Sequence, residues 1–250
     1  EINITYNWDI DDLGLLMGDE IHFWLLAKDN NPNNNSPEKS REFIGRFPSL
    51  EDIFSEINNY ENESSNWIDD IKETINEISE ITENAELELL KEDNISFENQ
   101  KNIEESLSKI EDINSEIENI QENIDKILEK AEKNNIFDQN LLEKFNEFQE
   151  MLSNIMTPEL QEAMKQLEEA LSNMDPEELS KALENFEFNL EEFENQLDRF
   201  MDMFKLAQVE QMLNELTKSI ENIIEQENDL INEIVNNPDN NSLLTSKSSK

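Results

Sequence analysis

Carboxylates are the main candidates for chemistry in this chain. Its 250 residues include 61 Asp and Glu but only 19 Lys and Arg, which gives a formal net charge of −42. There is one histidine, His22, and there is no cysteine. Disulfides, thiolate metal sites, cysteine nucleophiles and zinc sites built on several histidines are therefore excluded. Nucleic acid is excluded as a partner as well, because phosphate binding needs a basic surface.

Neither the carboxylates nor His22 form a pattern typical of a reactive site. Pairs such as Glu104-Glu105 and Glu191-Glu192 would point in different directions on a helix, so we interpret them as solvated faces rather than acid–base pairs. Asp29-Asn-Asn-Pro32 offers oxygen atoms that suit calcium, but too few carboxylates converge there, and a hydrophilic hairpin loop explains it. His22 has no second histidine or fixed carboxylate beside it and is predicted to be a packed or solvated residue. The sequence thus predicts no catalytic residue, no metal site and no cofactor.

The positions of glycine and proline divide the chain. Glycine occurs only at positions 14, 18 and 45, and the span 49–157 contains neither glycine nor proline. Such a span is hard to build as hairpins, which need glycine turns, and easy to build as long helices. We predict a partial β segment over residues 1–47, an acidic long-helix or coiled-coil region over 48–235 and a disordered polar tail over 236–250. Residues 51–235 carry 13 basic and 51 acidic side chains, a net charge of −38.

Alternating apolar residues predict strands in the first region. Ile2, Ile4 and Tyr6 alternate with polar residues, Glu20–Asp29 alternates over a longer run, and Arg41–Phe47 is typical of a return strand. Three strands cannot close a β-sandwich, which needs about seven. The chain also begins with a glutamate rather than Met. We therefore interpret these strands as the end of an immunoglobulin-like domain whose earlier strands lie upstream.

Short local signals mark where helices begin. Ser49 is placed to cap a first helix, with Asp52 at the capping-box distance, and Ser96 is placed to cap a second. Thr157 and Asp175 each precede a proline, which is favoured at the first helical position, with glutamate in the first turn. The sequence therefore predicts that a helix begins directly after each of these capping residues.

Apolar stripes at helical spacing predict how the helices pack. Over four heptads of the second helix they give a seam by which helices wind together. From Pro176 to about Val235 nothing interrupts the stripe, which predicts one helix about 90 Å long. We expect it to fold back on the 96–133 helix, because short connections favour antiparallel neighbours. The predicted fold class is mainly α: long antiparallel helical hairpins in a coiled-coil-like bundle, preceded by a few β-strands. The seam of the second helix is predicted at Ile103, Leu107, Ile110, Ile113, Ile117, Ile120, Ile124, Ile127 and Ala131.

Methionine and phenylalanine are frequent in the last helix, and two interpretations of them stay open. The simpler interpretation is that they form core. The alternative is an exposed groove for a partner helix. The residues that would line such a partner groove are Phe186, Phe193, Phe200, Phe204, Met201 and Met212.

Four stretches together resemble a known family. They are Leu13-Gly-Leu-Leu-Met-Gly-Asp-Glu20, Ala27-Lys-Asp-Asn30, Arg46-Phe-Pro-Ser-Leu-Glu-Asp-Ile-Phe54 and Met174-Asp-Pro-Glu-Glu-Leu179. With the Phe/Leu stripe that follows, they make most of residues 8–235 similar to a segment of the bacterial domain-of-unknown-function family 4175. The chain departs from the family pattern in its Ile and Asn bias and lacks the family's membrane part. The resemblance implies a membrane-anchored envelope protein with immunoglobulin-like regions and long acidic helices outside the cytoplasm. The family has no established activity, so it carries over no catalytic residue.

Two functional hypotheses from different classes follow. The first is a non-enzymatic structural or scaffolding protein of the bacterial cell envelope, on the extracytoplasmic side, that acts through an elongated acidic helical rod. The second is a peptide-binding or chaperone-like module that uses the Met/Phe-lined groove. Both predict a protein partner or self-association, and membrane contact only through a region missing from this chain. An enzyme would need a concave site with converging polar groups, which the sequence does not indicate.

Overall fold

The computed structural model describes residues 5–10, 13, 15, 18–28, 37–92 and 94–236. The chain divides into two units, Glu1–Glu56 and Ile57–Lys250. The elements are β1 (Glu20–Phe23), β2 (Leu26–Ala27), β3 (Glu38–Lys39), β4 (Phe43–Arg46), α1 (Leu50–Glu92), α2 (Phe97–Asn134), α3 (Gln139–Ile155), α4 (Pro158–Asn173) and α5 (Pro176–Asn236).

The first unit contains two short antiparallel ladders. β1 pairs with β4, which confirms the predicted return strand, and β2 pairs with β3. Phe23 stacks on Phe43 at 5.5 Å between ring centroids and meets Trp8 edge-on at 5.6 Å. The predicted strand over 20–29 is interrupted between β1 and β2. Tyr6 lies in irregular backbone, whereas the predicted strand residues at positions 2 and 4 lie outside the described residues, as do positions 237–250 of the tail.

The predicted helix starts are confirmed by their hydrogen bonds. Ser49 and Asp52 form a reciprocal capping box: the Asp52 amide donates to Ser49 Oγ at 3.1 Å and the Ser49 amide to Asp52 Oδ2 at 3.0 Å. Ser96 caps α2, Thr157 caps α4, and the Asp175 carboxylate accepts two amides at the start of α5. These local bonds satisfy amide groups that the first helical turn leaves free.

α1 and α2 lie side by side in opposite directions. Lys109 Nζ lies 2.5 Å from the Glu77 carboxylate. Further along α2, the Asn123 amide donates to the Tyr60 carbonyl at 3.3 Å. Moving towards the end of α2 therefore means moving towards the start of α1, as in a helical hairpin.

α3 and α4 together form the third member of the bundle. Only Met156 and Thr157 separate them, because Pro158 has no amide proton with which to continue the α3 ladder. Gln149 of α3 donates to Asp125 of α2. The third member thus runs beside α2 with a break near its middle.

α5 packs against α1 on one side and against α3 and α4 on the other. Lys72 Nζ of α1 lies 2.5 Å from Asp198 Oδ1, and Asn185 donates to Gln166 of α4 at 3.2 Å. The expectation that α5 folds back on α2 is therefore corrected, since α1 and α3–α4 flank both helices. Each short connection makes consecutive helices neighbours, and the last helix closes the bundle against the first. The structure is a mainly α helical bundle preceded by short strands, as predicted.

The seam of α2 is buried as predicted except at one position. Leu107 is half-buried, and Ser106 takes the core position instead. The Ser106 hydroxyl donates to the Asn102 carbonyl at 2.8 Å, which satisfies it inside the apolar stripe. Sequence spacing does not choose between Ser106 and Leu107. They lie three and four residues after Ile103, and both intervals place a side chain on the same helix face.

Four phenylalanines join α3 to α5. Phe148 contacts Phe145, Phe200 and Phe204 with ring centroids 5.4–5.6 Å apart, in edge-to-face geometry. All four side chains are buried. Aromatic pairs in this geometry stabilise a core beyond their area alone.

Replacing Phe148 with alanine should lower the free energy of unfolding by about 3–5 kcal/mol, because it leaves a cavity among three rings. Urea unfolding followed by circular dichroism measures this. Phe188→Ala is the matched control: this phenylalanine is 66% exposed, so its loss should cost less than about 1 kcal/mol. Equal losses for the two variants would contradict the described core.

Candidate functional site

The structure decides between core and groove for most of the predicted partner-groove residues. Phe186, Phe193, Phe200 and Phe204 are all buried, so these four side chains do not line an open groove. Met201 and Met212 complete the predicted set. Met201 is half-buried and Met212 is 60% exposed. The core interpretation holds for the phenylalanines, and only Met212 lies on an open surface.

An exposed apolar stripe follows on the second half of α5, and we call it the outward seam. Its apolar members recur at alternating intervals of three and four residues. Seven of them are 43–61% exposed, and the eighth, Leu230, is half-buried. Glu227 takes the one charged position of the series. The outward seam consists of Leu206, Val209, Leu213, Leu216, Ile220, Ile223, Leu230 and Ile234.

The outward seam lies on a different face of α5 from the bundle core. The core positions end with Phe204, Ala207 and Gln211, and the next positions of that series carry polar residues such as Asn214 and Lys218. The outward seam is displaced from the core series by two residues. At about 100° per residue this is a rotation of about 200°. α5 therefore carries two apolar seams on nearly opposite faces.

The predicted single stripe from Pro176 to about Val235 combines these two seams. The signal that separates them is the interval from Phe204 to Leu213. That interval is nine residues, which no alternation of threes and fours produces. A register count, rather than a list of apolar residues, would have found the change of face.

A buried carboxyl lies between α1 and α5 near the end of the core series. Glu61 is 2% exposed, and its Oε1 has no hydrogen-bond partner among the described residues. Burial, with a smaller contribution from the negative charge of Glu215, raises the pKa of Glu61 to about 8. Gln211 is also buried, and its amide donates to Asn58 at 3.3 Å. These polar groups lie at the level where the inward face of α5 changes from apolar to polar.

The other candidate residues lie apart from one another. Glu104-Glu105 and Glu191-Glu192 are exposed, as predicted for solvated faces. His22 is half-exposed, with Nδ1 3.4 Å from Glu42 and Nε2 3.7 Å from Glu20. The prediction that His22 has no fixed carboxylate beside it missed both: Glu42 comes from the region of the paired strand, whereas Glu20 lies two residues before His22 on the same strand. The Asp29–Pro32 loop lies outside the described residues.

One depression lies between α2 and the break of the third member. It measures about 540 Å³, and its apolar lining includes Leu107, Met156 and Met164. The charged residues on its rim include Glu104 and Lys165. Within the described ranges, no group of three or more His, Asp or Glu could hold a metal ion.

The comparisons with known proteins add no assignment. No protein-family model, no curated protein and no solved structure matches this chain. The resemblance to family 4175 therefore stays a prediction. Among the described helices, none has a long enough apolar run to cross a membrane.

Replacing Glu61 with glutamine should stabilise the protein at pH 8 but hardly at pH 4. Below about pH 4.5 the carboxyl is protonated in the folded and unfolded states alike. As the pH rises towards 8, the unfolded chain releases this proton and the folded chain retains it, so wild-type stability falls. We expect a gain on the order of 1–3 kcal/mol for Glu61→Gln at pH 8.

Urea unfolding at both pH values measures this gain, with Glu73→Gln as the control on an exposed position of the same helix. Comparing variants at one pH removes the titration of the remaining carboxylates. A gain that is the same at pH 4 and pH 8 would show that ionisation of Glu61 is not its cause.

Proposed function

We propose that this chain is a non-enzymatic structural or scaffolding protein that presents acidic helices and the outward seam to protein partners. The observation that carries the proposal is the outward seam itself. An apolar helix face of this length, exposed in a strongly charged chain, is typical of an interaction surface. The helices supply rigid spacing, since α5 alone is 61 residues and about 90 Å long.

The arrangement of polar groups supports binding rather than catalysis. An active site needs polar groups that converge in a concave, partly dry pocket. Here Glu61 is buried with an oxygen that has no hydrogen-bond partner among the described residues, the charged group that acts on it is another carboxylate, Glu215, and His22 lies in the other unit. The carboxylates considered as acid–base pairs face solvent.

The acidity of the helices limits the partners. Residues 51–235 carry a net charge of −38, which favours basic proteins or divalent counterions on the polar faces. We place the protein in the bacterial cell envelope, on the extracytoplasmic side, on the resemblance to family 4175 alone. In that setting the helical region meets a membrane only through a region missing from this chain.

A peptide-binding or chaperone-like role is the second candidate, and the exposure of Met212 favours keeping it. This role would use the outward seam, because the phenylalanines of the predicted groove are buried. It predicts that the folded monomer binds a hydrophobic dye strongly. Fluorescence titration against the Leu216→Glu variant measures this, and dye binding that the variant leaves unchanged would remove the candidate.

A photoreactive residue at position 216 should cross-link proteins in native membranes of the source cell, whereas one at position 228 should cross-link few. Leu216 lies in the outward seam and is 58% exposed, and Asn228 is exposed on the polar side of the same helix. Mass spectrometry of the purified adducts measures the difference. Equal cross-linking at both positions would contradict a scaffolding role that acts through the outward seam.

A further inference from the structure

The outward seam is long enough to form a coiled coil. From Leu206 to Ile234 it follows strict alternation of three and four residues over four heptads. An apolar heptad pattern sustained over three to four heptads is the signature of helices that pair along their length. Since these side chains are 43–61% exposed, except half-buried Leu230, the seam has room for a further helix.

Between positions 212 and 231, the residues that flank the outward seam are uncharged, although the chain is strongly acidic. In a coiled coil, the two positions beside the apolar pair meet the flanks of the partner helix and select it by charge. Glu210, at the edge of the bundle, already forms an ion pair with Lys144. Beyond it, the flanking positions are Met212, Thr217, Ser219, Ile224, Gln226 and Ile231, and then Glu233 at the far end of the seam.

We propose that the outward seam binds the same seam of a second copy of this chain. A basic helix would be selected by acidic flanks, and these flanks hold no acid between positions 212 and 231. The acidic residues of this segment lie mainly away from the seam, at positions such as Glu215, Glu221 and Asp229. Neutral flanks allow two equally acidic chains to approach along most of the seam, so that like charges oppose one another only at Glu227 in the seam and at Glu233 beside its end.

The size of the surface predicts a dimer that dissociates. In each heptad, the two seam positions and the two flanking positions contact the partner helix. Over four heptads this gives about 16 contacting residues on each chain, whereas a standard interface has about 20–30. Charges on the outer faces repel, but physiological salt screens them beyond about 8 Å. Added salt should therefore strengthen this dimer, whereas it would weaken binding to a basic helix.

The test is sedimentation equilibrium of the full chain over a concentration series through the micromolar range. The mean mass should rise from 29.4 kDa towards twice that value, and more readily at higher salt. Leu216→Glu combined with Ile223→Glu should weaken association at least about tenfold, because it buries charge in the seam. Glu227→Leu should tighten it about tenfold, because it removes the seam's one charge.

Asn228→Glu is the matched control, since it adds the same charge on an exposed position off the seam. It should leave association within about twofold of wild type. Circular dichroism checks that each variant is folded, and all the substituted seam residues are exposed in the monomer.

A mass of 29.4 kDa throughout the series would overturn the proposal, and so would a dimer that the seam variants leave unchanged. Association that weakens with salt would overturn it as well. The inference rests on the proposed scaffolding role, but the two fail separately. A chain that stays monomeric and still cross-links other proteins through position 216 would refute self-pairing and support scaffolding.

Discussion

Mutual burial of apolar stripes holds this protein together against its own charge. Residues 51–235 carry a net charge of −38, so polar surfaces alone would push the helices apart. Each member of the bundle instead turns one stripe inward, and the cross-helix pairs at Lys72, Lys109 and Lys144 lie at its edges. Ion pairs that stay in contact with solvent contribute about 0–1 kcal/mol each, less than a buried phenylalanine. The few lysine ion pairs therefore add little to the free energy of helix packing, while the apolar stripes determine which helix faces meet.

The same constraint explains where the inward face of α5 stops being apolar. Along α5 the inward series is apolar through Ala207, ends at buried Gln211 and then becomes polar. On α1, Glu61 holds a core position at this level with an oxygen that has no partner among the described residues. A buried carboxyl costs stability unless it is neutral or bonded, and burial raises its pKa to about 8. The apolar character of α5 continues past this level, but on the opposite face.

Local features could be predicted from the sequence, and pairings between distant segments could not. The caps at Ser49, Ser96 and Thr157 need only residues within one turn, so the helix starts were predicted correctly. The partner of α5 was predicted wrongly, because a heptad stripe specifies an apolar face and not which helix covers it. Ser106 displaced Leu107 because two spacings fit the same stripe. For the candidate site, the residues of the outward seam were visible and a register count from Phe204 to Leu213 would have shown the change of face, but only the structure shows which of the two faces is buried.

The unbroken course of α5 has a mechanical consequence. After Pro176 this helix contains neither glycine nor proline, and its two seams overlap between Leu206 and Gln211. A strain applied to the free half therefore meets no hinge before it reaches the turns that hold Phe204 against α3. The helix is a continuous lever, and pulling or twisting at its exposed end loads the contacts of Gln211 with Asn58 and of Glu210 with Lys144, and then the aromatic cluster.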